Sequence, residues 1–183
     1  MKYIVGTMIL AGFCLTPLAA DKAPVFTLKD LEGKTFSLQD ELGKGPMVFD
    51  FWATWCKPCI KGLGKMQEIE AAYRDKGVRV YTINIDGPRN QAKIRPFLRR
   101  YRLTLPVLLD KTSELMKAYH LVGVPATLII GADGELVYQH QGYTPGDEKK
   151  VRTQLNKLLA PAVPPGGVKT NPEAETEDTI NSM

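Results

Sequence analysis

Cys56 and Cys59 are separated by Lys57 and Pro58 and preceded by Trp55, in the run FWATWCKPC of residues 51–59. Two cysteines at this spacing can close a disulfide, cycle as a dithiol, or offer two thiolates to a metal ion. Cys56 follows an apolar strand and a turn, and Cys59 falls in the first turn of the helical pattern that begins there. Free N–H groups and the positive end of the helix macrodipole favour thiolate at Cys56, and Lys57 adds a full positive charge. A free cysteine titrates near about 8.5, and nucleophiles in Cys-X-X-Cys pairs fall between roughly 3.5 and 7.5. Cys56 is therefore the expected nucleophile. Cys59, deeper in the helix, is the expected resolving thiol that breaks a mixed disulfide. Pro58 stiffens the ring and suits a helix start, where its missing N–H had no partner to lose.

Cys59 must lose a proton to act. Asp50 sits inside the apolar run Met47–Trp52, six residues before Cys56. A carboxylate there is costly, and burial should raise its pKa toward neutrality. Asp50 is thus the expected proton acceptor for Cys59. The plainer reading is a core Asp bonded to backbone or water.

The wider chain bears on the pair. The 183 residues, 44% hydrophobic and 24% charged, suit one globular domain with residues to spare. Residues 1–20 read as a signal peptide: Lys2, an apolar run from Tyr3 to Leu15, a break at Thr16-Pro17, and Ala19-Ala20 before Asp21. An uncleaved anchor is the alternative, since no charge interrupts residues 3–20. Either way the domain is expected to be exported, to the periplasm or another extracytoplasmic space. Membrane contact is expected only if the N-terminal segment stays. Cys14 lies in the apolar run, so the domain at 21–160 retains only Cys56 and Cys59, too few for a fold stapled by disulfides. Residues 161–183, rich in Pro, Gly, Glu and Thr, read as a disordered acidic tail. Its net charge of −3, set against +4 for the chain, leaves +7 on residues 1–160. The basic cluster Lys93, Arg95, Arg99, Arg100 and Arg102 reads as the solvated side of a helix, and no nucleic-acid motif accompanies it.

The elements that must position the dithiol follow from periodicity. Val25–Leu28 and Thr35–Leu38 flank Glu32-Gly33 as a hairpin. Continuous apolarity over Met47–Trp52 predicts a central strand covered on both faces. Ile60, Leu63, Met66, Ile69 and Tyr73 recur three or four apart, predicting a helix over 58–76 that stops at Gly77. A strand over Val78–Ile85 follows, then a helix over Gln91–Tyr101 burying Ile94, Phe97, Leu98 and Tyr101, which Pro96 would kink or shorten. Pro106–Leu109 is a short apolar run, and Ser113 is read as the cap of a short helix reaching His120. A strand over 124–130, a turn at Asp133-Gly134, a strand at Leu136–His140 and an amphipathic helix at Asp147–Leu159 close the domain. The order predicts an α/β fold with a central mixed sheet flanked by helices and an extra N-terminal hairpin.

The run FDFWATWCKPC resembles the active-site strand and turn of the thioredoxin superfamily. APVFTLKDLEGKTFSL, VRVYTINID, VGVPATLII and GADGELVYQHQG resemble its exported TlpA/ResA/CcmG-like branch, so that about residues 23–159 are covered. The resemblance implies a thioredoxin-like fold and a redox-active Cys56–Cys59 disulfide. It implies a cis Val124–Pro125 peptide facing that disulfide and pairing with substrate, and a docking surface that includes Trp55; Trp52 is read as structural. No cofactor or metal is implied. The implied partners are disulfide-containing exported proteins and a membrane electron donor of the DsbD/CcdA type. The chain departs from its relatives in three places. Gly62 and Gly64 stand where an acid and a kinking Pro are common, Asp50 stands where many have Asn, and Asp86 is a shifted counterpart of an acid near the dithiol.

Two rival functions use the same thiols. Copper delivery would recruit His120 or His140, although copper carriers tend to space their cysteines wider. A thiol peroxidase would want Thr three residues before its reactive Cys, and Thr54 is two before Cys56. Asp50 and Pro58 favour a reductase over an oxidant, whereas Lys57 pushes toward the oxidant by acidifying Cys56. The expected activity is protein-disulfide reductase, with apocytochrome c cysteines as an expected substrate.

Overall fold

The computed structural model describes residues 22–161; the expected signal segment 1–20 and all but the first residue of the expected tail lie outside them. Strands β1 (Thr27–Asp30) and β2 (Thr35–Ser37) form the N-terminal hairpin, and a four-residue helix, α1 (Leu38–Glu41), follows at once. Then come β3 (Met47–Trp52), α2 (Lys57–Tyr73), β4 (Arg79–Asn84), α3 (Ile94–Tyr101), β5 (Val107–Leu109), α4 (Glu114–Ala118), β6 (Ala126–Ile130), β7 (Leu136–Gln141) and α5 (Asp147–Leu159). The seven strands make one mixed sheet in the order β2-β1-β5-β4-β3-β6-β7. β3, β4 and β5 run parallel, whereas both flanking hairpins join them antiparallel. This is the thioredoxin-like α/β architecture with its added N-terminal hairpin.

Every residue of β3 is buried, because the strand is central and covered on both faces. Met47, Phe49 and Phe51 face a core closed by Leu38, Leu115 and Tyr119. Val48 faces Met66 and Ile69 of α2 and Val151 and Leu155 of α5, and Trp52 faces Cys59 and Leu63 of α2 and Phe97 of α3. Alternation along the strand therefore aims Asp50, between Val48 and Trp52, at the α2 side.

Four expectations are corrected. The helix expected over 91–101 divides into a 3₁₀ segment at Pro88–Lys93 and α3 from Ile94. Pro96 thus lies in the first turn of α3, where a missing N–H costs little. Tyr101 is 36% exposed and packs on Phe97 at 4.7 Å between ring centroids, rather than entering the core. Ser113 precedes α4 but makes no capping bond; the Asp110 carboxylate accepts from the Leu115 and Met116 N–H groups instead, at 3.3 and 3.0 Å. Any acceptor that reaches the free N–H groups can cap a helix, and a buried carboxylate does so strongly. Finally, the helix expected over 58–76 is an α-helix only over Lys57–Tyr73, through Gly62 and Gly64, and passes into a 3₁₀ turn at Arg74–Lys76.

Candidate active site

Cys56 occupies the N-cap of α2 with extended backbone dihedrals, and its N–H donates to the Ala53 carbonyl at 3.0 Å to close the turn after β3. Lys57 opens the helix, Pro58 follows and Cys59 completes the first half-turn. The two cysteines form a disulfide with their Cα atoms 5.4 Å apart. Cys59 is sealed from solvent and Cys56 retains 4% exposure. Trp55 projects outward, 62% exposed, while Trp52 is fully buried against Phe97. The Val124–Pro125 peptide is cis. Val124 packs on the cluster that contains both cysteines, and the Pro125 carbonyl accepts from the Gly142 N–H at 2.8 Å.

Asp50 lies at the centre of a polar row. Register pairs it with Thr82 on β4 and Thr127 on β6, and the three side chains cross the sheet between the apolar clusters of Val48 and Trp52. Those clusters take up Met66 and Cys59 respectively, so Asp50 lies beneath the stretch of α2 between them. The Thr127 hydroxyl donates to Asp50 Oδ1 at 2.8 Å, whereas the Thr82 hydroxyl is committed to the Pro106 carbonyl at 3.0 Å. Asp50 Oδ2 has no hydrogen-bond partner among the described residues. Burial pushes the Asp50 carboxyl up from 3.8 to about 7, against a smaller downward pull from Thr127.

Asp86 is also fully buried, but its oxygens are occupied. Oδ2 accepts from the Thr54 N–H and from Asn84 Nδ2, both at 2.9 Å, and Oδ1 accepts from the Thr54 hydroxyl at 3.0 Å. The Asp86 N–H donates in turn to Asn84 Oδ1 at 3.0 Å, and Gln91 Nε2 donates to the Asp86 carbonyl. Asp86 thereby ties the end of β4 to Thr54, two residues before Cys56. The Thr54 hydroxyl that a peroxidase reading would employ is spent on this bond. Of the two histidines weighed for metal binding, His120 is exposed, and His140 Nε2 lies 3.1 Å from Asp147. Among the described residues no group of three or more His, Cys, Asp or Glu side chains is placed to hold a metal ion.

Sequence reasoning did not single out Asn84 or Thr127. Asn84-Ile85-Asp86 alternates polar, apolar, polar at a strand end, which is the signal for the first. Thr127 carries no local signal, because its role depends on β6 pairing with β3.

The AhpC/TSA family model matches residues 19–139. The ResA thiol-disulfide oxidoreductase of Bacillus anthracis is 37% identical over 143 residues, covering 78% of both chains. A solved DsbE-type thiol:disulfide interchange protein from Chlorobium tepidum superposes with a TM-score of 0.70 at 30% identity, covering 76% of this chain and 96% of that one. StoA from Bacillus subtilis superposes with a TM-score of 0.60 at 28% identity, covering 72% and 96%. A buried Cys-X-X-Cys disulfide at a helix N-terminus, on this sheet and with these relatives, places the chain in the AhpC/TSA family, among the thioredoxin-like thiol-disulfide oxidoreductases of the TlpA/ResA/CcmG type.

Proposed function

We propose that the chain is an exported reductase of protein disulfides that works through Cys56 and Cys59. The Cys56 thiolate attacks one sulfur of a substrate disulfide, forming a mixed disulfide and releasing the first substrate thiolate. Asp50 takes the proton of the Cys59 thiol, directly or through a water. The Cys59 thiolate then attacks Cys56 Sγ, closing the Cys56–Cys59 disulfide and expelling the second substrate thiolate. Two electrons pass to the substrate, and a membrane donor of the DsbD/CcdA type returns two to the protein. Lys57 and the α2 N-terminus stabilise the Cys56 thiolate, and Pro58 holds the pair in its turn. Trp55, Val124 and Pro125 dock the substrate chain.

The observation that carries this reading is Asp50. A carboxyl with a pKa near 7, an open Oδ2 and a place beneath the stretch of α2 between Cys59 and Met66 suits a group that exchanges protons with a resolving thiol. The leader-like composition of residues 1–20 supports export, and apocytochrome c cysteines, reduced before haem attachment, are the proposed substrate.

A redox titration against glutathione tests the direction. A potential below about −200 mV is expected for a reductant, and one above about −150 mV, close to that of a strong oxidant, would overturn it. Cys59→Ala should trap mixed disulfides between Cys56 and its substrates. Mass spectrometry of the adducts identifies them, and an envelope extract that yields none removes the substrate claim.

A further inference from the structure

Beside the dithiol, on the α3 side, lies an open groove of about 570 Å³ whose walls include Trp55, Phe97 and Tyr101. Three cations, Lys57, Lys93 and Arg100, line it, and no carboxylate does. All three are exposed, and none forms a salt bridge among the described residues. Their neighbour Arg95, by contrast, pairs with Glu32 at 3.0 Å. Basic residues scattered around a helix serve solubility. Here Lys93, at the end of the 3₁₀ segment, and Arg100, in α3, line one groove with the exposed Trp55, next in the chain to Cys56. Trp55 and Lys57, the residues on either side of Cys56, both line the groove, and an aromatic floor with cations outside any salt bridge attracts side chains of negative charge.

We propose that this groove receives an acidic segment of the substrate, a few residues from the cysteine that Cys56 attacks, and so selects disulfides flanked by Asp or Glu. The proposal rests on the reading of Cys56 and Cys59 as a reductase. Lys93 and Arg100 act through substrate binding and leave the proton chemistry at Asp50 untouched.

The test uses the full, reduced chain and three peptide disulfides that differ only in two residues near the cysteine, both Glu, both Gln or both Lys. Rates of dithiol oxidation are measured by acid quench and mass spectrometry, each divided by the rate for the Gln peptide. In the unaltered protein the Glu peptide should react about tenfold faster than the Lys peptide at low salt, the contrast shrinking as salt is added. Lys93→Glu/Arg100→Glu should reverse the order, and Lys93→Gln/Arg100→Gln should flatten it. Because intrinsic peptide reactivity is common to all three proteins, only the change of ratio counts. The same Glu-to-Lys ratio in all three proteins would overturn the proposal while leaving the reductase reading intact. So would an equal acceleration of every peptide in the Glu variant, which would make the chain's own acidic stretch at 173–178 the occupant. If no peptide is reduced by any of the proteins, the reductase reading falls and takes the groove's occupant with it.

Discussion

Asp50 and Asp86 are two carboxylates sealed in the same sheet, one within β3 and the other just beyond β4, and they meet opposite surroundings. Asp86 receives three hydrogen bonds, two of them from Thr54, so both its oxygens are occupied and its task is to hold a turn. Asp50 receives one bond and keeps an oxygen open among apolar side chains, so burial dominates and its carboxyl holds a proton to about pH 7. A third buried acid, Asp110, sides with Asp86, with both oxygens capping α4. Burial alone therefore does not mark a carboxylate as reactive. The number of donors that the surrounding backbone and side chains supply separates a brace from a proton carrier.

Removing the brace should cause the largest loss of stability. Asp86→Ala leaves the Thr54 N–H and the Asn84 amide without their acceptor, at about 1–3 kcal/mol for each buried group. We expect the oxidised protein to lose about 3 kcal/mol by urea unfolding at pH 7. A loss below about 1 kcal/mol would mean that the bonds around Thr54 are dispensable, and the contrast with Asp50 would fail.

Asp50→Asn should move stability the other way, by a margin that grows from about pH 4 to about pH 7 and then holds. Because the folded carboxyl keeps its proton up to about pH 7 while the unfolded one releases it near 3.8, stability falls as pH rises between those values and is level above them. An uncharged Asn escapes this loss. Unfolding midpoints should match at pH 4 and favour the variant by about 2–4 kcal/mol at pH 8. The same variant should slow turnover of a disulfide peptide by about a hundredfold, since Cys59 loses its proton acceptor. A variant both more stable and equally active would make Asp50 a core residue without a catalytic part.

The smallest effect is expected at Thr127→Val, which deletes the one bond that favours the Asp50 carboxylate. Asp50 should then hold its proton to higher pH. The inflection in the pH profile of Cys56–Cys59 closure should rise by about one unit, the equivalent of about 1.4 kcal/mol. An unmoved inflection would detach that profile from Asp50.

The fold was legible wherever a local pattern had a single physical solution. The unbroken apolar run at 47–52 is β3, and the spacing from Ile60 to Tyr73 is the buried face of α2. Asp133-Gly134 turns β6 into β7, with Gly134 at φ 85°, a conformation that glycine adopts without strain. Legibility ended where a distant group replaced a local one. Ser113 carries the local signature of a cap, but Asp110 reaches the same N–H groups, so the bond went to the residue whose geometry won. Tyr101 shares the period of the buried residues of α3, yet the helix ends there, at the rim of the groove.

By itself the sequence determined the chemistry available. Two cysteines two residues apart at a helix start can share a bond, and an Asp in an apolar strand must be buried or break the strand, since both follow from backbone geometry and hydration. Tertiary structure alone decided which acid was left hungry for a proton. Thr127, Thr82 and Thr54 come from separate segments, and only strand pairing and the turn after β3 bring them within 3 Å or so of a carboxylate or turn them away from it. Lys93 and Arg100 were likewise no more than positive residues on a helix until the packing of α3 set them beside Trp55. Hydrogen bonds and charge pairs act over a few ångströms, and distances of that size between remote residues are settled by the fold.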